Sequence, residues 1–328
     1  MHQKTVLFCG PIDSPLNSGR YMISGLEQIG YRVIGYDYRT HKNYRDDLAT
    51  IVHVEKPEYV FVLKGETLSP DIVRKFKQAG CITILWITMI APEDFVASLI
   101  REYDFIITNV DFYVDYFKHR GVKHITWIHQ GFAPDFFDIQ APGLPSTENY
   151  YADVAMIGSM GDRIYRKRCE LVIKLRKENI DIKWWGPRLA RQWRNSRYYW
   201  AGVHHAWMGK EVYMKEFADI IRHTKIYLAQ DADVVVPGKY LSNRVFAVLG
   251  CGGFYLSRRT PGISSVFEIG RELDVFDSED ELTEKIHFYL HNEDKRKQIA
   301  VEGQKKVLNN FSYGQQMKKI FEWVNKQL

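Results

Sequence analysis

The chain has 328 residues, 45% of them hydrophobic and 26% charged, and a formal net charge of +5 at neutral pH. This is ordinary globular composition, long enough for two domains with separate cores and too weakly basic to imply nucleic acid from charge alone. No apolar run is long enough to span a membrane, and MHQKTVLFCG lacks the apolar core and cleavage site of a secretory leader, so a cytoplasmic location is expected.

Cys9, Cys81, Cys169 and Cys251 lie far apart, without CxxC or Cys/His pairing, and read as reduced core thiols. Thr5–Cys9 reads as a buried strand and Gly10–Gly19 as a loop with two prolines. Helical spacing over Arg20–Ile29 stops at Gly30, a residue suited to the left-handed position after a helix. Strand Tyr31–Tyr36, helix Tyr44–Glu55 and strand Tyr59–Leu63 (YVFVL) follow. Ser69-Pro70-Asp71 supplies an N-cap, a proline at the first helical position and an acid in the first turn of a helix ending near Gly80. Strand Cys81–Ile87, helix Pro92–Arg101, strand Phe105–Thr108, helix Asp111–His119 and strand His124–Ile128 complete the alternation. Continuous apolar strands between helices predict a parallel sheet covered on both faces, a Rossmann-like domain over residues 1–140.

Ala133–Asn149 holds three prolines and little periodicity, and is expected to link two domains. The alternation then restarts: strand Asp153–Ile157, helix Ile164–Asn179, strand Ile182–Trp185, helix Val212–Arg222, strand Lys225–Ala229, helix Val245–Leu249, and strands Phe254–Leu256 and Asp274–Phe276. Ser278 and Glu281 suggest a capping box for a helix through Leu290. Helices Glu293–Asn309 and Tyr313–Lys326 close the chain. The second domain is expected over residues 150–311, with 312–328 as a separate closing helix. Two such domains are expected to face each other, with ligand in the cleft at the carboxyl ends of the strands.

Several clusters fall at those ends. Within Gln230–Glu272, Lys239, Asn243 and Arg244 arrive at a helix N-terminus, where free N–H groups and the helix dipole favour an anion. The plainer alternative is a helix cap with two solvated cations. Glu268 and Glu272 follow, as carboxylates able to accept from sugar hydroxyls or as simple surface charge. Gly158-Ser159-Met160-Gly161-Asp162-Arg163 lies between a strand and a basic helix; its glycines admit close backbone approach and Arg163 can reach a phosphate. Any tight strand–helix turn uses glycine, so its position matters more than its pattern.

Residues 184–210 form an insert too long for an ordinary connection. Counted with Lys183, it has six Lys or Arg, no Asp or Glu, and five of the eight tryptophans. Arg191 and Trp193 are its candidate acceptor contacts, since aromatic faces beside arginine suit sugars or nucleic acid. An insert packing its own small core is the alternative. In the first half, Asp13, Asn17 and Gly19 follow the first strand, Thr88 with Glu93-Asp94 follows the strand containing Trp86, and His129 follows the last. Asp13 and His129 are the candidate catalytic bases, and Asn17, Gly19 and Thr88 the candidate acceptor contacts. His204-His205 lacks a third ligand at metal spacing, so no metal site is expected.

The motifs DVAMIGSMGDR, WGP and KYLSNRVFAVLGCGGFYLSRRTPGISSVFEIGRELDVFDSEDEL resemble CgeB-like proteins of the glycosyl transferases group 1 type. TILWITMIAPEDF, YDFIITN and ITWIHQGFAPDFF extend a looser likeness over the first half. The resemblance implies an α/β GT-B fold, two Rossmann-like doubly wound parallel-sheet domains facing across a cleft, with the closing helix crossing back to the first. It implies a glycosyltransferase that needs no cofactor and takes a nucleotide-diphosphate sugar, a UDP-sugar above all, as donor. Gly158, Ser159 and Arg163 would face the donor diphosphate, Asn243 and Arg244 would open the donor helix, and Glu272 would hold an acidic position. Lys239, Arg163 and Arg244 would stabilise the departing diphosphate without a metal. Many relatives carry two glutamates eight positions apart here; this chain departs from them with Tyr240 and Ala247 near those places. The acceptor would be a hydroxyl on a glycan, a small molecule or a nucleic acid. Two other readings remain, a transferase acting on DNA or RNA bases through the insert and an inactive nucleotide-binding relative.

Overall fold

The computed structural model describes residues 3–14, 18–88, 99–139, 150–161, 164–190, 192–231 and 238–328. Contacts divide the chain into two compact units, one of Met1–Ala133, Val236–Leu241 and Phe311–Leu328, the other of Pro134–Val235 and Ser242–Asn310.

In the first unit the chain runs β1 (Thr5–Cys9), α1 (Gly19–Gln28), β2 (Arg32–Tyr36), α2 (Tyr44–Glu55), β3 (Tyr59–Leu63), α3 (Pro70–Gln78), β4 (Ile82–Ile87), β5 (Phe105–Thr108), α4 (Phe112–Lys118) and β6 (Ile125–Trp127). The strands form one parallel sheet in the order β2-β1-β3-β4-β5-β6. Buried residues of α2, α3 and α4 cover one face. Helix α1 packs beside the last helix of the chain, which reaches the opposite face: Phe321 lies 6.4 Å from Phe61 and 4.6 Å from Tyr31, and Trp323 lies 5.5 Å from Phe105. Fully apolar strands such as YVFVL need cover on both sides, and these helices supply it.

The second unit begins with a short helix, α5 (Pro134–Phe137), inside the expected linker. Phe137 stacks edge-on against Phe217 at 5.8 Å, which joins this segment to the second unit; residues 140–149 lie outside the described residues. The unit continues through β7 (Ala152–Ile157), α6 (Arg166–Lys177), β8 (Ile182–Trp185), α7 (Ser196–Trp200), α8 (Met214–Arg222), β9 (Thr224–Ala229), α9 (Asn243–Gly250), β10 (Tyr255–Arg258), α10 (Pro261–Val266), β11 (Asp274–Phe276), α11 (Glu279–His291) and α12 (Glu293–Asn310). Helix α13 (Tyr313–Asn325) belongs to the first unit. The second sheet is also parallel, in the order β11-β10-β9-β7-β8.

Helix ends follow side-chain chemistry, with one correction. Ser278 Oγ accepts from Glu281 N at 3.1 Å, but Glu281 Oε2 takes the Asp277 N–H at 2.7 Å, so only half of the expected capping box forms. The complete box is at Ser312 and Gln315, opening α13. Pro92–Arg101, read as a helix, falls largely outside the described residues. All four cysteines are buried and free. No helix among the described residues is long and apolar enough to cross a membrane.

Candidate functional site

In the second sheet the chain leaves β7 for β8 on one side and returns to β9 on the other. Loops diverge at such a reversal and open a crevice at the carboxyl ends of the two neighbouring strands. Gly158 follows β7 there, with φ +132°. Its N–H donates to Trp185 O at 2.8 Å, and its carbonyl accepts from Trp184 Nε1 at 2.7 Å.

Arg168, in the first turn of α6, bridges the two sides of the reversal. Its Nε donates to Gln230 O beyond β9 at 2.6 Å, and its Nη1 donates to Ser159 O beyond β7 at 2.8 Å. The residue is only 5% exposed, and Tyr165 lies under the guanidinium at 4.4 Å. Burial, then the neighbouring Arg244, pushes its pKa down to about 10, so it stays charged at neutral pH. Among the described residues no carboxylate pairs with it.

Arg244 comes to the same place from α9, whose N-cap Ser242 accepts the Arg244 N–H at 3.4 Å. A Cβ on Gly158 would lie 2.8 Å from Arg244 Nη2 and 3.2 Å from Arg168 Nη1, so both guanidinium groups close over this glycine. Bringing two like charges together in a partly buried place is unfavourable, and an anion that touches both reverses the sign. Asn243 Oδ1 and Gln230 Oε1 border the cluster as buried atoms without a hydrogen-bond partner. Tyr227 beneath it donates to Ile157 O at 3.3 Å; burial raises its pKa, against the pull of Arg244 and Arg168.

Three expected donor residues, Gly158, Ser159 and Arg244, therefore meet at one corner, with Asn243 at its edge. Arg163 lies outside the described residues. Lys239 stands with the first unit, where its N–H donates to Asp111 Oδ1 at 2.5 Å and its Nζ lies 6.0 Å from the centre of the Trp127 ring. Glu268 and Glu272 require correction. They precede β11, and a crossover between parallel strands returns the chain to the amino edge of the sheet, the end opposite Gly158. Glu272 Oε2 accepts from Glu268 N at 2.9 Å and Oε1 lies 3.6 Å from Lys306, while Glu268 pairs with Arg271 at 2.9 Å on the surface. They close a turn.

In the first unit, Asp37 organises the loop after β1. This carboxylate, 2% exposed, accepts from Ile12 N at 2.8 Å, Asp13 N at 3.2 Å and Arg39 N at 3.1 Å. Asp13 is exposed and accepts from Thr40 Oγ1 at 2.8 Å. Gly19 is packing-driven, since a Cβ there would lie 2.3 Å from Pro11 O. Thr88 is half-buried at the end of β4, and Asn17 lies outside the described residues. His129, beyond β6, stacks edge-on against Trp127 at 4.7 Å. Burial, then Lys319, holds its pKa down at about 4, so it is neutral at pH 7.

This shift has a stability consequence. The folded protein binds fewer protons at His129 than the unfolded chain does between pH 6.5 and 4, so the contribution is present above pH 6.5 and is lost as pH falls to about 4. Urea unfolding of His129→Gln against the parent should show the parent losing about 3 kcal/mol more than the variant across that window.

Asn109, 1% exposed just beyond β5, has neither amide atom hydrogen-bonded. Leucine of the same shape carries no desolvation cost, so Asn109→Leu should raise the unfolding free energy by about 1 kcal/mol in a urea titration.

In the insert, Trp184 and Trp185 are core residues, while Trp193 is exposed at the surface and Arg191 lies outside the described residues. Arg168, Asp37 and Asn109 are the positions that sequence reasoning missed. Only their location just past apolar strands, or in the first turn of the helix that follows Gly158, could have drawn attention to them. Among the described residues no group of three or more His, Cys, Asp or Glu is clustered at metal-binding distance.

Residues 166–322 match the family model described as glycosyl transferase-like. No curated protein sequence matches the chain. Among solved structures, the chain is similar to a glycosyltransferase from Rickettsia africae, at TM-score 0.68 and 12% identity over 98% of each chain. It is similar to Anabaena Alr3699/HepE in complex with UDP and glucose, at TM-score 0.68 and 12% identity over 99% and 100% of the two chains. An alpha-glucosyltransferase in complex with UDP and a DNA 13-mer containing an HMU base aligns at TM-score 0.69 and 9% identity, again over 99% and 100%. These likenesses, with the six- and five-stranded parallel sheets, show that the chain has the GT-B fold, its second half matching the glycosyl transferase-like model.

Proposed function

We propose that the chain is a glycosyltransferase that moves a sugar from a nucleotide-diphosphate sugar, a UDP-sugar in the first instance, to an acceptor hydroxyl. The carrying observation is the pair of guanidinium groups of Arg168 and Arg244 over Gly158, beside the N-terminus of α9. In the reaction the bond from the anomeric carbon to the diphosphate breaks, the acceptor oxygen forms the new bond, and its proton passes to a base. The leaving diphosphate gains charge as that bond breaks, and fixed cations at its oxygens lower the barrier. Two guanidinium groups and the positive end of the α9 dipole supply that charge without a metal ion. The UDP-bound neighbours support this choice of donor.

The first unit is proposed to hold the acceptor. His129, neutral at pH 7, and Asp13, an exposed carboxylate beyond β1, are the proposed bases. The CgeB-like subtype rests on the DVAMIGSMGDR, WGP and KYLSNRVFAVLGCGGFYLSRRTPGISSVFEIGRELDVFDSEDEL motifs.

A panel of nucleotide sugars tests the proposal, with released nucleotide and melting temperature as readouts. A UDP-sugar is expected to stabilise the protein and to be turned over equally with and without EDTA. No response to any nucleotide sugar would refute the activity, and turnover abolished by EDTA would refute its independence of metal.

A further inference from the structure

The connection between β8 and α8 does more than cross the sheet. Short 3-10 turns at Trp193–Asn195 and Val203–Ala206 flank α7 and border an open pocket of about 590 Å³. That is within the range of small-molecule sites, roughly 300–1,000 Å³. Trp184, Trp193, Trp200 and Trp207 contribute to its walls, with Arg188 and Gln192.

The walls are held from below. Trp184 Nε1 is bonded to the Gly158 carbonyl, and Trp207 Nε1 donates to Gly186 O at 2.9 Å. The outer two indoles are not held by the core: Trp193 is 88% exposed and Trp200 is 90% exposed. A core-forming insert has no physical reason to present two indoles to water. Two of its cations have no acidic partner among the described residues: Arg188 lies 5.8 Å from the Trp207 ring, and Arg194 donates to Gln192 Oε1 at 2.6 Å.

Flat apolar faces beside unpaired cations, without a single acid from Lys183 to Lys210, fit a ligand that is both planar and polyanionic. We propose that this surface binds single-stranded nucleic acid, with one unstacked base in the cavity, neighbouring bases on Trp193 and Trp200, and phosphates at Arg188 and Arg194. A second copy of this chain fits poorly, because two acid-free basic surfaces would repel. A lone nucleotide offers nothing to the two outer indoles. The inference goes beyond the donor reading and does not depend on sugar transfer.

Binding of a labelled oligothymidylate to the full chain, followed by anisotropy and tryptophan quenching without any sugar donor, tests it. Affinity should fall about sevenfold between about 50 and 200 mM salt, as two phosphate contacts at a slope of about −0.7 each require. Trp193→Ala and Trp200→Ala should each weaken binding about tenfold. Arg188→Ala should flatten the slope of log affinity against log salt by about 0.7. Because both indoles are solvent-exposed, their replacement leaves the core intact, and an unchanged circular dichroism spectrum verifies this. Equal affinity for inorganic polyphosphate or anionic lipid vesicles, tryptophan variants that bind like the parent, or displacement of the strand by UDP would each overturn the inference. A protein that binds the strand but turns over no nucleotide sugar would refute only the proposed activity.

Discussion

Arg168→Met is expected to reduce sugar transfer by about 10²–10³-fold, the scale of losing one pre-organised charge donor to a leaving group. Isothermal titration with UDP should show a matching loss of nucleotide affinity. The side chain reaches the site by donating to two carbonyls on opposite sides of a strand reversal, so it acts both as a clamp and as a charge. Losing the clamp should cost about 1–3 kcal/mol of stability in urea, because two buried carbonyls lose their donor. Arg168→Lys separates the roles. An ammonium keeps the charge but lacks the planar fork that serves both carbonyls, so it should retain part of the nucleotide affinity and little of the clamp. Arg244→Ala should behave differently. It also removes charge from Gly158, but it relieves the repulsion that, after burial, depresses Arg168. Its nucleotide affinity should fall while the stability of the free protein holds or rises. If Arg168→Met binds UDP like the parent and is merely less stable, Arg168 is only a clamp.

Gly186→Ala should be the most disruptive small substitution at the site. A Cβ there would stand 2.2 Å from Gly158 O and 2.7 Å from Trp184 Nε1, far inside any contact that real side chains show. Neither neighbour can yield cheaply. Gly158 is tied at its N–H to Trp185 O, and the Trp184 indole bonds the same carbonyl that the new methyl would strike. Relief requires moving the loop after β7, with an expected cost of about 3 kcal/mol from overpacking together with a broken buried hydrogen bond. Urea unfolding followed by near-ultraviolet circular dichroism of Trp184 and Trp185 reads that cost. UDP affinity should fall in parallel, because the displaced loop carries Gly158 away from both arginines. Parent-like stability with parent-like UDP binding would show that the strands part to admit a methyl group and that the corner is not tightly defined.

Much of the architecture was legible in the amino acids. Strands such as Tyr59–Leu63 and Phe105–Thr108 are legible to the residue, because a strand buried on both faces is almost wholly apolar and is bounded by polar or glycine-containing loops. Helix Tyr44–Glu55 was equally plain, closed by Pro57. The site was legible only in part. Gly158, Ser159 and Arg244 stood out because they follow a strand or open a helix. Arg168 did not, since Arg166, Lys167 and Arg168 are neighbours of one type on one helix turn. Only the approach of Ser159 and Gln230, 9 and 62 positions away, selects the third.

Local chemistry thus determined the periods of the elements, their ends and the parallel, two-sided character of the sheets, since these depend on residues within a few positions of one another. Tertiary structure decided what lies beside what. The return of each crossover to the amino edge put Glu268 and Glu272 at the wrong end of the sheet for the donor corner, although both belong to the single connection between β10 and β11. The order of strands, with β9 on the far side of β7 from β8, created the reversal that Arg168 spans. Pairings over tens of residues are chosen by the packing of whole elements, and no local pattern encodes them.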